Sequence, residues 1–327
     1  MKKTLFLASL CLATAGWAIE LSPASLSAET PLVVQQPDRG VSAPAANSKT
    51  AQVELLNPGV EPRQQLRLKP AIDLKETTVM TLKMDMEISA AGRSSPAKSP
   101  VSVMTFETKV TKIDPNGDIH YESAYTNVDI TGDTENTPPA VRDAMRSTLK
   151  SMVGMKGSFI MDNRGSHKGG DIILPEGADN NLKQMVGQMS KALEQLASPL
   201  PAEAVGKGAK WRVSSSSDFS GIKVNDISTY ELASWQDGVA SVKVSIEQQA
   251  NPQNITSPLL PAGTTLTLKS FSSQGRGKVT GRLDRLIPFR STVSISSNSE
   301  MSAKTAGSSQ ESTIKTKMAM EMTLESK

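Results

Sequence analysis

The chain has 327 residues, 37% of them apolar and 21% charged, with a formal charge of +3 at pH 7. That length suits one large β domain or two small ones, and the hydrophobicity is too low for a chain made mainly of membrane spans. Aromatic residues make up only 4% and methionines number 15, so an interior must rest on Leu, Ile, Val and Met.

Residues 1–18 read as a secretory signal. Lys2 and Lys3 are its basic start, Leu5 to Ala15 its apolar stretch, and Gly16 and Ala18 its small cleavage residues. A cut after Ala28 is the alternative site. The apolar run is short for an uncleaved anchor. The expected location is therefore outside the cytoplasm, in the periplasm or at the cell envelope. Cys11, the one cysteine, lies inside this signal, and Leu10 before it does not suit lipidation. The mature chain would then have no disulfide, cysteine–metal site or cysteine nucleophile. Loss of Lys2 and Lys3 takes the formal charge from +3 to +1, which gives no reason to expect nucleic acid as a partner.

Residues 19–72 read as a disordered tether rich in Pro, Ser and Ala. Prolines at 23, 31, 37, 44, 58, 62 and 70 break any regular period, and such a segment buries too little apolar surface to offset its ordering entropy. A short strand at Leu66 to Leu68 is expected at its end.

Residues 73–327 form the expected β-rich domain, with halves at 73–178 and 208–327 joined by a helix at 180–197. Met80, Leu82, Met84, Met86 and Ile88 alternate with Thr81, Lys83, Asp85 and Glu87, the period of a strand with one apolar face. Gly92 to Pro100 reads as a polar loop, and Val101 to Ile113 and Asp118 to Val128 as strands around the turn Asp114-Pro115-Asn116-Gly117. Thr137 and Pro138 open a helix whose stripe is Val141, Met145, Leu149, Met152 and Val153. Ser158 to Met161 and Asp171 to Leu174 are short strands. The joining helix carries Leu182, Met185, Val186, Met189, Leu193 and Leu196 on one face and ends at Pro199 and Pro201.

The second half opens at Trp211. Ile227 to Trp235 and Val239 to Gln248 form a hairpin around Asp237-Gly238, and Asn251 to Gly263 is a loop. Strands follow at Thr264 to Phe271, Lys278 to Leu283 and Phe289 to Ser297. Ser299 to Ser309 reads as a polar loop, and Ile314 to Leu324 closes the chain. The hairpins at Asn116-Gly117 and Asp237-Gly238 hold the same place in each half, which argues for internal duplication against the counter-signal of the 251–263 loop. Met318, Met320, Met322 and Leu324 alternate with Ala319, Glu321 and Thr323. That pattern mirrors Met80 to Met86, so the first and last strands are expected to be neighbours or to face each other across one core.

The search for chemistry is mostly negative. Neither His120 nor His167 has a carboxylate or second histidine at ligand spacing, where zinc needs three or four such groups. Nucleophile-elbow, phosphate-loop and zinc-protease motifs do not occur. Gly275, Gly277 and Gly281 lack dinucleotide spacing and read as a flexible lead-in to a hairpin. Asn127, Asp129, Asp133 and Glu135 form an oxygen-rich run around Gly132, but Pro138 stands where a calcium loop needs its last carboxylate. No metal or cofactor is expected. Arg276, Lys278, Arg282, Arg285 and Arg290 form a basic cluster opposed only by Asp284. It is read either as an anionic contact or as a solvated sheet face. Met80, Met84, Met86, Met145, Met152, Met185, Met189, Met318, Met320 and Met322 all fall on apolar faces. They suit either an adaptable apolar cavity or a core that simply lacks aromatics.

Gly-Ser-Phe-Ile-Met-Asp at 157–162 and Pro-Leu-Pro followed by Gly-Lys-Gly-Ala-Lys-Trp at 199–211 resemble a secreted bacterial β-rich family of unknown function, over roughly residues 75–325. More distantly, strands wrapped on two helices are similar to the LolA-like lipoprotein-carrier half-barrel. That resemblance implies apolar-ligand handling by fold analogy and brings no catalytic residue. The expected fold is mainly β (α+β), a curved antiparallel sheet or half-barrel with about two packed amphipathic helices. The expected function is non-enzymatic binding of an apolar or lipid-like ligand or a lipidated partner. The alternative is an envelope structural or interaction protein with a filled core and peripheral envelope contacts. An enzyme would need carboxylates such as Asp162, Asp171 and Asp284 gathered beside a histidine.

Overall fold

The computed structural model describes residues 51–90, 92–131, 139–174, 200–219, 222–255, 264–305 and 311–327. Strand formation dominates them, as alternation at period two and the wealth of Thr, Ser, Val and Met dictate. The strands are β1 (Gln52–Asn57), β2 (Gln64–Gln65), β3 (Lys75–Ala90), β4 (Arg93–Lys98), β5 (Val101–Ile113) and β6 (Ile119–Thr131). Helix α1 (Pro139–Lys150) precedes β7 (Lys156–Met161), β8 (His167–Ile173) and β9 (Ala204–Val205). Then come β10 (Lys210–Phe219), β11 (Ile222–Gln236), β12 (Val239–Ala250), β13 (Gln253–Ile255), β14 (Thr264–Arg282), β15 (Arg290–Thr305) and β16 (Glu311–Ser326).

All but β2 and β9 belong to one antiparallel sheet in the order β1-β10-β11-β12-β14-β15-β16-β3-β5-β6-β7-β8, with β13 beside β14 and β4 beside β3. The sheet curves and, among the described residues, does not close. Each half of the chain is an antiparallel meander, and β16 joins the two by pairing with β3. Met318 lies opposite Met86, Met320 opposite Met84, Met322 opposite Leu82 and Leu324 opposite Met80. The first and last long strands are thus neighbours, as their shared pattern implies.

Several expectations change. Residues 52–57, assigned to the tether, form β1 and pair with β10 through Val53, Leu55 and their neighbours. Leu66 and Leu68 are buried. Val53, Leu55, Leu66 and Leu68 supply the apolar alternation that the prolines around them obscure. Arg93–Lys98 is a strand and not a loop, and β15 runs through Thr305 where a loop from Ser299 was expected. β14 is one 19-residue strand rather than two. Its Gly275 and Gly277 are not a lead-in to a hairpin but sit in the middle of the sheet. A Cβ on Gly275 would lie 2.7 Å from Ile295 Cγ1, and one on Gly277 would lie 2.9 Å from Val244 Cγ1. Neighbouring apolar side chains close over these positions, as strand glycines permit.

Of the two expected helices only α1 is described, against β6. Residues 1–50, the helix at 180–197 with Met185 and Met189, Asp133 and Glu135 of the oxygen-rich run, and most of the 251–263 loop lie outside the described residues. The expectation of two packed helices is therefore not supported.

One end of the sheet is strapped shut. β2 pairs with β9, Leu68 N donates to Asn163 O at 2.7 Å, Lys69 N to Leu283 O at 2.7 Å, and Leu200 N to Arg164 O at 2.7 Å. Arg164 Nε returns a bond to Leu200 O at 2.8 Å, and Arg67 Nη1 reaches Pro201 O at 3.1 Å. The Leu-Pro and Gly-Lys-Gly-Ala-Lys-Trp segments are thus a clasp between the two halves. Gly206 is required there, because a Cβ would stand 1.8 Å from Val60 O. Trp211, fully buried, stacks on Tyr230 at a centroid distance of 5.4 Å. Glu76, also buried, accepts from Leu286 N and Ile287 N at 3.1 Å each and so fixes the loop between β14 and β15.

Candidate functional site

The inner face of the sheet is ordered in rows by strand register. Nearest the strapped end, Leu232, Val242, Val279, Ser291, Leu324 and Met80 stand side by side on successive strands. The next row holds Tyr230, Val244, Gly277, Val293, Met322 and Leu82, and the next Ser228, Ile246, Gly275, Ile295, Met320 and Met84. Most of these side chains form the main core, which also takes in Trp211, Met104 and Phe106. Beyond lies a different row: Asp226, Gln248, Ser273, Ser297, Met318 and Met86. A second, smaller apolar cluster of Val224, Ala250, Leu266, Leu268 and Met301 follows further along the strands.

On the strands these methionines form a wall along the inner face. Met80, Met318, Met320 and Met322 are buried, whereas Met84, Met86 and Ile88 are only half-buried. On β3 cover thins from Leu82 onward while Met318 and Met320 beside it stay buried, so the wall is tightly packed at Met80 and reachable along the far part of β3. Met152 is buried in the turn after α1 and Met145 is half-buried on it, but neither belongs to the main core cluster. Met104, directly opposite Met80 on β5, joins the wall. Alternation within Val101 to Ile113 carries that signal.

The polar row is not among the sequence expectations. Asp226 is buried and takes hydrogen bonds from Gln248 Nε2 at 2.8 Å and Ser228 Oγ at 3.1 Å. Among the described residues no cationic side chain pairs with it. Burial pushes its carboxyl above the ordinary range, against the opposing pull of the Gln248 and Ser228 bonds. Ser273 is buried and its Oγ has no partner among the described residues. The alternation of Val224, Asp226, Ser228 and Tyr230 already puts Asp226 on an inward position, but an acid there reads at first as a surface residue.

The basic cluster divides. Arg276 and Lys278 are exposed on the outer face, where Lys278 lies opposite Lys243. Arg282 is held by Asp284 at 2.8 Å, Arg290 by Glu325 at 2.7 Å, and Arg285 lies 3.8 Å from buried Glu76. Asp284 is therefore not the only opposing acid, because strand pairing and loop return bring distant carboxylates alongside.

His120 also gains a partner that linear spacing hides. Its Nε2 lies 2.6 Å from Asp114 Oδ2, and Lys112 Nζ lies 2.7 Å from Asp114 Oδ1. Lys112 and His120 together hold the Asp114 carboxyl below its ordinary range. Nearby, Lys168 Nζ meets Asp118 Oδ2 at 2.7 Å and does the same to Asp118. The Lys168–Asp118 pair binds the hairpin tip to β8. Among the described residues no group of three or more His, Cys, Asp or Glu is placed to hold a metal ion. Asp162 accepts from Arg164 N and Ser166 N within its own turn, and Asp284 is engaged by Arg282.

No curated protein matches the chain. Among solved structures, Ail, the attachment invasion locus protein of Yersinia pestis, is 8% identical, with 79% of this chain and 100% of that chain covered at a TM-score of 0.15. OccK2 (OpdF) of Pseudomonas aeruginosa is 6% identical, with 79% and 98% covered at a TM-score of 0.17. Neither score amounts to a shared fold, and these comparisons give no support to a likeness with the LolA-like carrier. A family model described as a family of unknown function (DUF6263) matches residues 116–285, from the β5–β6 turn through the clasp to the loop after β14. With just over half its length matched, the chain belongs to this DUF6263 family of unknown function.

Proposed function

We propose that the protein is an extracytoplasmic binding protein whose inner sheet face takes up an apolar or lipid-like ligand, or the acyl chain of a lipidated partner. The observation that carries this reading is the paired methionine wall of β3 and β16, fully covered near the strapped end and only half-covered at Met84, Met86 and Ile88. Methionine adapts to acyl chains of varied shape because it is unbranched and polarizable. A half-covered apolar strip on a concave sheet face is the kind of surface that a chain-like ligand completes. The outer face supports a water-exposed position for the fold. Thr81, Lys83, Thr292, Ser294, Glu321 and Thr323 all point outward, whereas a membrane barrel needs an apolar outer band. The signal-like residues 1–18 support export.

The test is titration of the purified protein with the apolar fluorophore N-phenyl-1-naphthylamine. The wild-type chain is expected to bind it saturably. Met84→Glu, which puts a charge on the inner strip, is expected to weaken binding by about tenfold or more, the effect of roughly 1.4 kcal/mol. Thr323→Glu, on the exposed outer face of β16, is expected to bind as the wild type does. Absence of saturable binding by a folded wild-type chain, or equal effects of the two substitutions, would overturn the reading and favour a structural protein with a filled core.

A further inference from the structure

We infer that the polar row formed by Asp226, Gln248, Ser273 and Ser297 is the headgroup subsite of the ligand, and that it selects an amphiphile whose head donates hydrogen bonds and carries no negative charge. The inference rests on the reading that the inner face holds an apolar chain, and it adds what the other end of that chain must be.

The row crosses four adjacent strands, β11, β12, β14 and β15, and then meets Met318 and Met86. It is bordered on one side by the Ile246, Ile295 and Met320 row and on the other by the Val224 and Ala250 cluster. A polar band between two apolar zones on one concave face is costly to the fold, because each buried polar group must find a partner or lose roughly 1–3 kcal/mol. Most of the inner face avoids that cost with Val, Ile, Leu and Met, Ser291 in the first row being an exception. Here it is borne, and only in part offset. Asp226 receives two donors, Gln248 Nε2 and Ser228 Oγ, and keeps further lone pairs that a donating head can meet. Ser273 Oγ, in a residue 4% exposed, has no hydrogen-bond partner among the described residues. A buried acid with no cation beside it among the described residues, together with an idle hydroxyl, is a site short of donors and short of positive charge.

An ammonium or hydroxyl head supplies both the proton and, for the ammonium, the charge. A carboxylate or phosphate head brings no proton to these acceptors and is repelled by Asp226 whenever that carboxyl is ionised. The row ends at Met86, where the inner face is half-open, so an acyl chain on the methionine wall places its head beside the serines. Ser297 faces Met318 directly across β15 and β16, which makes that pair the point where polar and apolar parts meet.

The experiment is displacement of bound N-phenyl-1-naphthylamine from the full-length protein by dodecylamine, dodecanol and dodecanoate, which share one chain and differ in the head. The wild type is expected to rank dodecylamine first and dodecanoate last, separated by about tenfold or more. Asp226→Asn keeps the size of the side chain, and Gln248 can turn its amide to match. In this variant the gap between dodecylamine and dodecanoate is expected to shrink to within about threefold. If the three compounds displace the fluorophore equally from the wild type, or if Asp226→Asn keeps the same ranking and gap, the headgroup assignment is overturned while the apolar-binding reading stands. If the folded wild type binds no fluorophore at all, both fall together.

Discussion

Asp226 is a single buried side chain whose charge bears on the stability of the fold. Burial raises its carboxyl above the ordinary value of 3.8. An acid that holds its proton more tightly in the fold than in the unfolded chain destabilises the fold at high pH. The cost is full above the folded value, shrinks as pH falls through it, and is gone below the ordinary value. Asp226→Asn removes the ionisable group and keeps its shape, so it is expected to raise the thermal midpoint at pH 7. The gain should narrow steadily as pH falls toward about 4, where both chains carry a neutral group. Thermal unfolding followed by circular dichroism across that range checks it; a lower midpoint for the variant at pH 7, or a gain that grows on acidification, contradicts it. Sequence alternation alone places Asp226 on an inward position, since Val224, Ser228, Tyr230 and Leu232 share its parity. What alternation does not carry is which charges stand beside it, because charge pairing between strands depends on register. Register likewise joins Arg290 to Glu325, and a loop return brings Arg285 to Glu76.

At the scale of elements, the alternation of Met80 to Met86 and of Met318 to Leu324 is enough to identify β3 and β16 as kindred strands, and they pair residue for residue. The pattern is legible because one face is apolar over four successive inward positions, which fixes both face and register. β1 is not legible. Its apolar positions, Val53 and Leu55, are few, and the prolines at 58 and 62 that follow give the whole segment the look of a spacer. Yet β1 covers the edge of β10, whose Trp211 and Val213 are buried. Removing residues 1–57 uncovers the hydrogen-bonding edge of β10, and an uncovered edge invites pairing with another chain. The shortened protein is expected to self-associate and unfold at a lower urea concentration, whereas a chain beginning at residue 51 should match the full chain. Size-exclusion chromatography and urea denaturation would decide, and identical behaviour of the two shortened chains would mean that residues 52–57 act as a spacer after all. β14 is hidden for a different reason. Its glycines break the apolar alternation in the sequence, although in space they are the points where Ile246, Ile295 and Val244 close over the backbone.

For the whole molecule, the sequence conveys an extended antiparallel β architecture and the meeting of its two ends. It does not convey the single continuous sheet or the clasp that shuts one end of it. The clasp is built from chain segments far apart in sequence, residues 58–69, 162–166, 200–209 and 283–287, held largely by backbone hydrogen bonds that leave no compositional trace. With one end strapped and the other lined by half-covered Met84, Met86 and Ile88, the inner face has a closed floor and an accessible margin. Those features underlie the proposed uptake of an apolar chain along that face. Its most direct test is native mass spectrometry of the full-length protein purified from the cells that make it, before and after extraction with organic solvent. A fraction of added mass that extraction removes and that an added dodecyl amphiphile restores is the expected result. A bare chain before extraction that also takes up no amphiphile afterwards would contradict it.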